Sequence, residues 1–88
     1  MEKIDYRQIG RMIDVSAVRT DVTLEEVRQM IRLVRDYHCV CASPMPCFTA
    51  YTIDQLADCD DTVVTGVVSF PAGAESTFIK VATAKDMI

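Results

Sequence analysis

No run of basic residues, no signal-peptide core, no apolar stretch of membrane-spanning length and no C-x-x-C pair occur in these 88 residues. Each absence narrows the function. Binding to a nucleic-acid backbone needs a positive patch. Here the net charge is -4, and Arg28, Arg32 and Arg35 alternate with acids at helical spacing. Residues Met1 to Asp14 carry charges throughout, unlike the uncharged core of a secretory leader. A bilayer span needs about 20 apolar residues, and none is present, so a cytoplasmic protein without nucleic-acid or membrane partners is expected. Disulfide frameworks belong to secreted chains. The four cysteines, Cys39, Cys41, Cys47 and Cys59, therefore read as free, buried thiols. A zinc site built from His38, Cys39, Cys41 and Cys47 would lack the paired knuckles of structural zinc centres.

What is present is an alternation of strand-like and helix-like segments. Tyr6 to Arg11 reads as a short leading helix and Met12 to Ser16 as a short strand. Thr23-Leu24-Glu25-Glu26 has the form of a capping box, in which threonine and the glutamate three residues on each satisfy an orphan amide. Leu24, Val27, Met30, Ile31 and Val34 then recur on one face at helical spacing, which predicts a helix over about 23–37. His38 to Ala42 is a continuously apolar run ending at Ser43-Pro44, as in a strand buried on both faces. Pro46 suits the first turn of a helix running to about Ala57, with Phe48, Tyr51, Ile53 and Leu56 as its apolar residues. Asp58 to Asp61 is a polar turn. Thr62 to Phe70 is the strongest strand signal, being rich in β-branched residues, with its central valines expected to be buried on both sides. Glu75 to Ile88 reads as a last helix contacting the core through Phe78, Val81, Ala82 and Met87.

The order helix, β, α, β, α, β, α with short links argues for one α/β unit with a parallel sheet and right-handed crossovers. Three parallel strands cannot close a barrel and leave two open edges. The last helix runs to Ile88 with no terminating glycine or polar tail. The expectation is a single-domain segment, 1–88, of a larger β/α structure.

Several linear motifs point to one family. Asp14-Val15-Ser16-Ala17-Val18-Arg19-Thr20-Asp21-Val22-Thr23 resembles D-H-T-L-L-K-P-D-A-T. Val40-Cys41-Ala42-Ser43-Pro44 resembles V-C-V-N-P. Val67-Val68-Ser69-Phe70-Pro71-Ala72-Gly73-Ala74 resembles V-V-G-F-P-L-G-A. Ile79-Lys80 and Ala84-Lys85 resemble the V-K and A-K of the helix that follows. These are motifs of the deoxyribose-phosphate aldolases, class I aldolases on the TIM (β/α)₈ barrel. The departures are Val15 for histidine, Thr20 for proline and Ser69 for glycine.

The resemblance implies that the chain supplies the first three β/α units of that barrel, preceded by a short helix. It implies a complete enzyme, a lyase of carbohydrate catabolism, that cleaves 2-deoxyribose 5-phosphate to acetaldehyde and glyceraldehyde 3-phosphate. The reaction runs through a lysine Schiff base, with no cofactor and no metal. In the family the reactive lysine, its partner lysine and the proton-relaying aspartate lie on later strands. The lysines here are Lys3, Lys80 and Lys85, on the N-terminus or on helix-like segments, where solvated amines are expected. A Schiff-base amine instead needs desolvation or a neighbouring cation. This segment is therefore expected to hold no catalytic residue and to be inactive alone.

Pocket candidates implied by the resemblance are Asp14 and Ser16, expected at the C-terminal end of the first strand, and Cys41. Asp14 could equally cap or bond a loop, Ser16 could bond backbone, and Cys41 could be a small core residue. Gly73 is expected to permit a turn. The expected partners are a small phosphorylated sugar or aldehyde and either further copies of the chain or the missing part of the barrel. The alternative is a self-associating β/α module without catalysis.

Overall fold

The computed structural model describes residues 6–88. Lys3 lies outside them. A leading 3-10 helix, Tyr6–Met12, is followed by β1 (Asp14–Ala17), α1 (Leu24–Tyr37), β2 (Cys41–Pro44), a 3-10 turn (Pro46–Phe48), α2 (Thr49–Gln55), β3 (Val63–Val64) and α3 (Thr77–Asp86). The strands form one parallel sheet in the order β1-β2-β3. The β/α alternation read from sequence is thus the observed one.

The cause of α1 is local. Thr23 stands before its first turn, and its hydroxyl accepts from the Glu26 amide at 3.2 Å. Such a cap is worth about 1 kcal/mol. The reciprocal half of the capping box is replaced: the Glu26 carboxylate receives the Thr23 hydroxyl at 3.3 Å and pairs with Arg19. Val27, Met30, Ile31 and Val34 are buried as predicted, each contributing about 1.5–3 kcal/mol relative to exposure. Leu24 is the exception, being exposed in the first turn. The helix ends at His38, whose left-handed backbone (φ 51°) lets its amide reach the Val34 carbonyl.

That terminus corrects the predicted strand. His38 closes a helix, so β2 starts at Cys41, three residues later than the apolar run implied, and includes Ser43 and Pro44. β3 is corrected more strongly. Of the predicted nine-residue strand only Val63–Val64 is strand, although the Thr65 amide adds one more ladder bond to Ala42 O at 3.0 Å. The physical reason lies in the neighbour, because Pro44 has no amide to donate and the ladder stops beside it. The valines are not buried on both sides: Val63 and Val68 are exposed, and Val64 and Val67 half-buried.

The core lies between the sheet and the first two helices. Val15, Ala17, Ala42 and Val64 point into it from the sheet and meet Val27, Met30, Ile31, Val34, Cys39 and Leu56. The leading 3-10 helix is tied beneath the sheet through Gly10, whose carbonyl accepts from Val40 at 2.9 Å. A β-carbon at Gly10 would collide with the Tyr37 carbonyl, so close backbone approach explains that glycine. α3 contributes nothing fully buried. Of its predicted contacts, Phe78, Val81 and Ala82 are exposed, and Met87, just past the helix end, is half-buried against Gly66 and Thr49. The Phe70–Pro71 peptide is cis, and Gly73 adopts φ 66° in the turn before α3, as its predicted role requires.

Candidate pocket wall on the open face of the sheet

Strand alternation sorts the sheet into two chemically distinct faces. One carries the apolar core residues. The other, turned away from α1 and α2, carries Asp14 and Ser16 from β1, Cys41 and Ser43 from β2, and Thr65 just beyond β3. The register sets their heights: Asp14 lies level with Cys41 and Val63, and Ser16 with Ser43. In a closed β/α barrel this face becomes the interior.

The three residues singled out from sequence therefore share a face, but the height expected for Asp14 is corrected. Asp14 opens β1 rather than ending it, because the strand starts two residues later than read. The carboxylate consequently stands in the N-terminal row of the sheet, level with the first residues of β2 and β3, and not at the C-terminal end of β1 as expected. Among the described residues it neither caps a helix nor bonds a loop, but accepts from the Ser43 hydroxyl at 2.8 Å. Ser16 is exposed on this face, and among the described residues its hydroxyl makes no hydrogen bond. Cys41 is half-buried outside the core cluster, with its sulfur 3.9 Å from Ser43 Oγ.

Two further members were missed. Ser43 is 7% exposed, and its oxygen lies 2.6 Å from Thr65 Oγ1. In sequence, Ser43 stands at the end of an apolar run and Thr65 among the valines of the predicted third strand, so neither stands out. The signal that identifies them is the two-residue alternation Asp14-x-Ser16 and Cys41-x-Ser43, once the strands are set in register.

The four residues of the disfavoured zinc arrangement do not converge. Cys39 is buried on the helix side, Cys41 faces the other way, Cys47 is exposed, and His38 caps α1. Among the described residues no cluster of histidine, cysteine, aspartate and glutamate could hold a metal ion. Of the lysines, Lys80 and Lys85 both lie on α3, on neither a strand nor the open face.

A separate charge cluster lies outside the sheet, in the turn before β3. Arg35 grips Asp58 through two bonds of 2.7 Å and also donates to the Gln55 carbonyl at 3.1 Å. The guanidinium holds the Asp58 carboxyl down at about 2. Burial pushes the neighbouring Cys59 thiol up, against the opposing pull of Arg35. This cluster joins α1 to the turn before β3, at the N-terminal ends of the strands, where barrels place stabilising rather than reactive residues.

No family model matches the chain. Similarity to individual proteins is clear. The deoxyribose-phosphate aldolase of Enterococcus faecalis is 33% identical over 81 residues, which span 92% of this chain and 36% of that protein. That of Caldanaerobacter subterraneus subsp. tengcongensis is 32% identical over 80 residues, 91% of this chain and 34% of its own length. Listeria monocytogenes proteins of the same name are 31% identical over 80 residues. The chain thus spans about a third of the length of the curated relatives it matches. A crystal structure from Coccidioides immitis, provisionally described as a deoxyribose-phosphate aldolase, superposes with a TM-score of 0.85 at 21% identity, covering 99% of this chain and 34% of that one. The chain is, in sequence, similar to the N-terminal third of the deoxyribose-phosphate aldolases, and its fold is that of three β/α units of a TIM barrel.

Proposed function

We propose that this chain forms the substrate-facing first three β/α units of a class I aldolase. The enzyme would cleave 2-deoxyribose 5-phosphate to acetaldehyde and glyceraldehyde 3-phosphate, and these units alone would be inactive. The observation that carries the reading is the gathering of Asp14, Ser16 and Cys41 on the one sheet face that is polar. A carboxylate and hydroxyls there can orient a hydroxylated substrate, while an amine on another strand forms the Schiff base and takes the covalent chemistry. Lys80 and Lys85 are poorly suited to that task, being on α3 rather than on a strand, the first half-buried and the second exposed. A cytoplasmic setting fits the four free thiols.

The test is reductive trapping. The 88-residue chain, incubated with acetaldehyde and borohydride, is expected to show no stoichiometric adduct by mass spectrometry. The same chain joined to the C-terminal two thirds of the Enterococcus faecalis relative is expected to form one. A specific adduct on the short chain would overturn the inactive-segment reading.

The exposed apolar residues of α3, Phe78, Ile79 and Val81, together with the free edge of β1, favour a second reading. In it the chain covers these surfaces by associating with further copies of itself.

A further inference from the structure

We propose that Ser43 and Thr65 are positioning residues for the Asp14 carboxylate, forming a one-way hydrogen-bond relay from the residue just past β3, through β2, to β1. The inference rests on reading the open face as a pocket wall. It assigns roles to Ser43, which the motifs include without singling out, and to Thr65, which lies outside them.

The direction of the relay follows from proton counting. A carboxylate only accepts, and a serine hydroxyl has one proton to give. Ser43 donates that proton to Asp14 Oδ1 at 2.8 Å. The 2.6 Å contact between Ser43 and Thr65 must then be a donation from Thr65 to Ser43. The chain runs Thr65 to Ser43 to Asp14 and ends on the charged group. Bonds to an ionised acceptor are about twice as strong as neutral ones, and successive hydroxyls polarise one another along such a chain.

The backbone fixes the relay. The β1–β2 register sets Ser43 opposite Ser16, one step along from the Asp14–Cys41 pair. The bond from the Thr65 amide to Ala42 O places Thr65 beside Ser43. Ser43 is nearly inaccessible at 7% exposure, whereas Asp14 is exposed. The buried hydroxyl thus orients a solvent-facing carboxylate, which is the arrangement a pre-set acceptor for a ligand hydroxyl requires. An ordinary satisfied core serine would explain the burial of Ser43. It would not require Asp14 to be held in one orientation.

The test reads Asp14 directly and needs no catalysis, so its outcome is independent of the aldolase reading. In the isotopically labelled 88-residue chain, the two Hα–Hβ couplings of Asp14 are expected to differ strongly, reporting one side-chain rotamer. In Ser43→Ala the difference should fall to less than half, while cross-strand contacts between β1 and β2 persist. Thr65→Val, which leaves the Ser43 donor but removes its support, should give an intermediate loss. Ser43→Thr, which keeps the hydroxyl, should restore the wild-type couplings. Unchanged couplings in Ser43→Ala with the sheet intact would overturn the relay. If Ser43→Ala loses the sheet, Thr65→Val decides: couplings equal to wild type would refute it.

Discussion

Ser69 occupies a backbone position that suits glycine. Its φ is 60°, in the left-handed region where a β-carbon costs roughly 1–2 kcal/mol. Its hydroxyl oxygen is also buried with no hydrogen-bond partner among the described residues, a further cost of about 1–3 kcal/mol. The resembling motif has glycine here, and the backbone supplies the reason: the carbonyl of Ser69 accepts from Gly73 in the turn leading to α3. Ser69→Gly should therefore stabilise the fold, even after the roughly 0.4–1 kcal/mol that glycine adds to unfolded-chain entropy. The expected net gain of about 1 kcal/mol corresponds to a rise in Tm of roughly 4–8 °C for a chain of this size. A melt showing no rise would mean that the serine hydroxyl has a partner in solution.

At the level of elements, the Arg35–Asp58 pair links α1 to the turn after α2, and it titrates. The Asp58 carboxyl falls from an ordinary 3.8 to about 2, first through its hydrogen bond with Arg35. A folded-state value below the unfolded one means that the link contributes above the unfolded value and is lost as pH falls through the folded one. The difference in Tm between the wild-type chain and Asp58→Asn should hold steady above about pH 4 and close towards pH 2. The pair is solvent-exposed, so the difference should be small and should shrink with added salt. A difference that persists unchanged at pH 2 would place its origin elsewhere.

The elements also differ in how far the sequence revealed them. α1 was legible to the residue because its signals are local: a threonine cap, a heptad-like apolar stripe and a charged outer face. β2 was displaced because its true start depends on His38 adopting a left-handed turn, a conformation more often marked by glycine. β3 was overestimated because valine propensity describes a residue's fit to a sheet, whereas strand length depends on donors in the neighbouring strand. Pro44 withholds one. α3 was legible as a helix through Ser76, whose hydroxyl accepts from the Ile79 amide at 3.4 Å. Its lack of burial was not, since burial is decided by what lies alongside.

For the whole molecule, the sheet is half-finished in two senses. Its helix side is packed, and its other side is polar and uncovered. A groove of about 580 Å³ lined by Ile9, Ile13, Val15, Leu33 and Tyr37 runs beside the unpaired edge of β1. If copies of the chain cover these surfaces, light scattering should give a mass of at least two chains, falling with dilution. A monomer with a cooperative melt at all concentrations would remove that reading. The candidate site was legible in part for the same reason. Asp14, Ser16 and Cys41 were found through motifs, each within one strand, whereas Ser43 and Thr65 became visible only when strands distant in sequence were aligned.

That alignment has a consequence for how the chain can change. Along β1 and β2, odd and even positions serve different masters: Val15, Ala17, Ala42 and Pro44 hold the fold, while Asp14, Ser16, Cys41 and Ser43 present chemistry. Point substitutions can alter one set and spare the other. A single inserted or deleted residue within β2 cannot, because it exchanges the two sets and turns Ser43 into the apolar core and Ala42 onto the open face. The reading frame of the pleat, more than any one side chain, is what descent must preserve here.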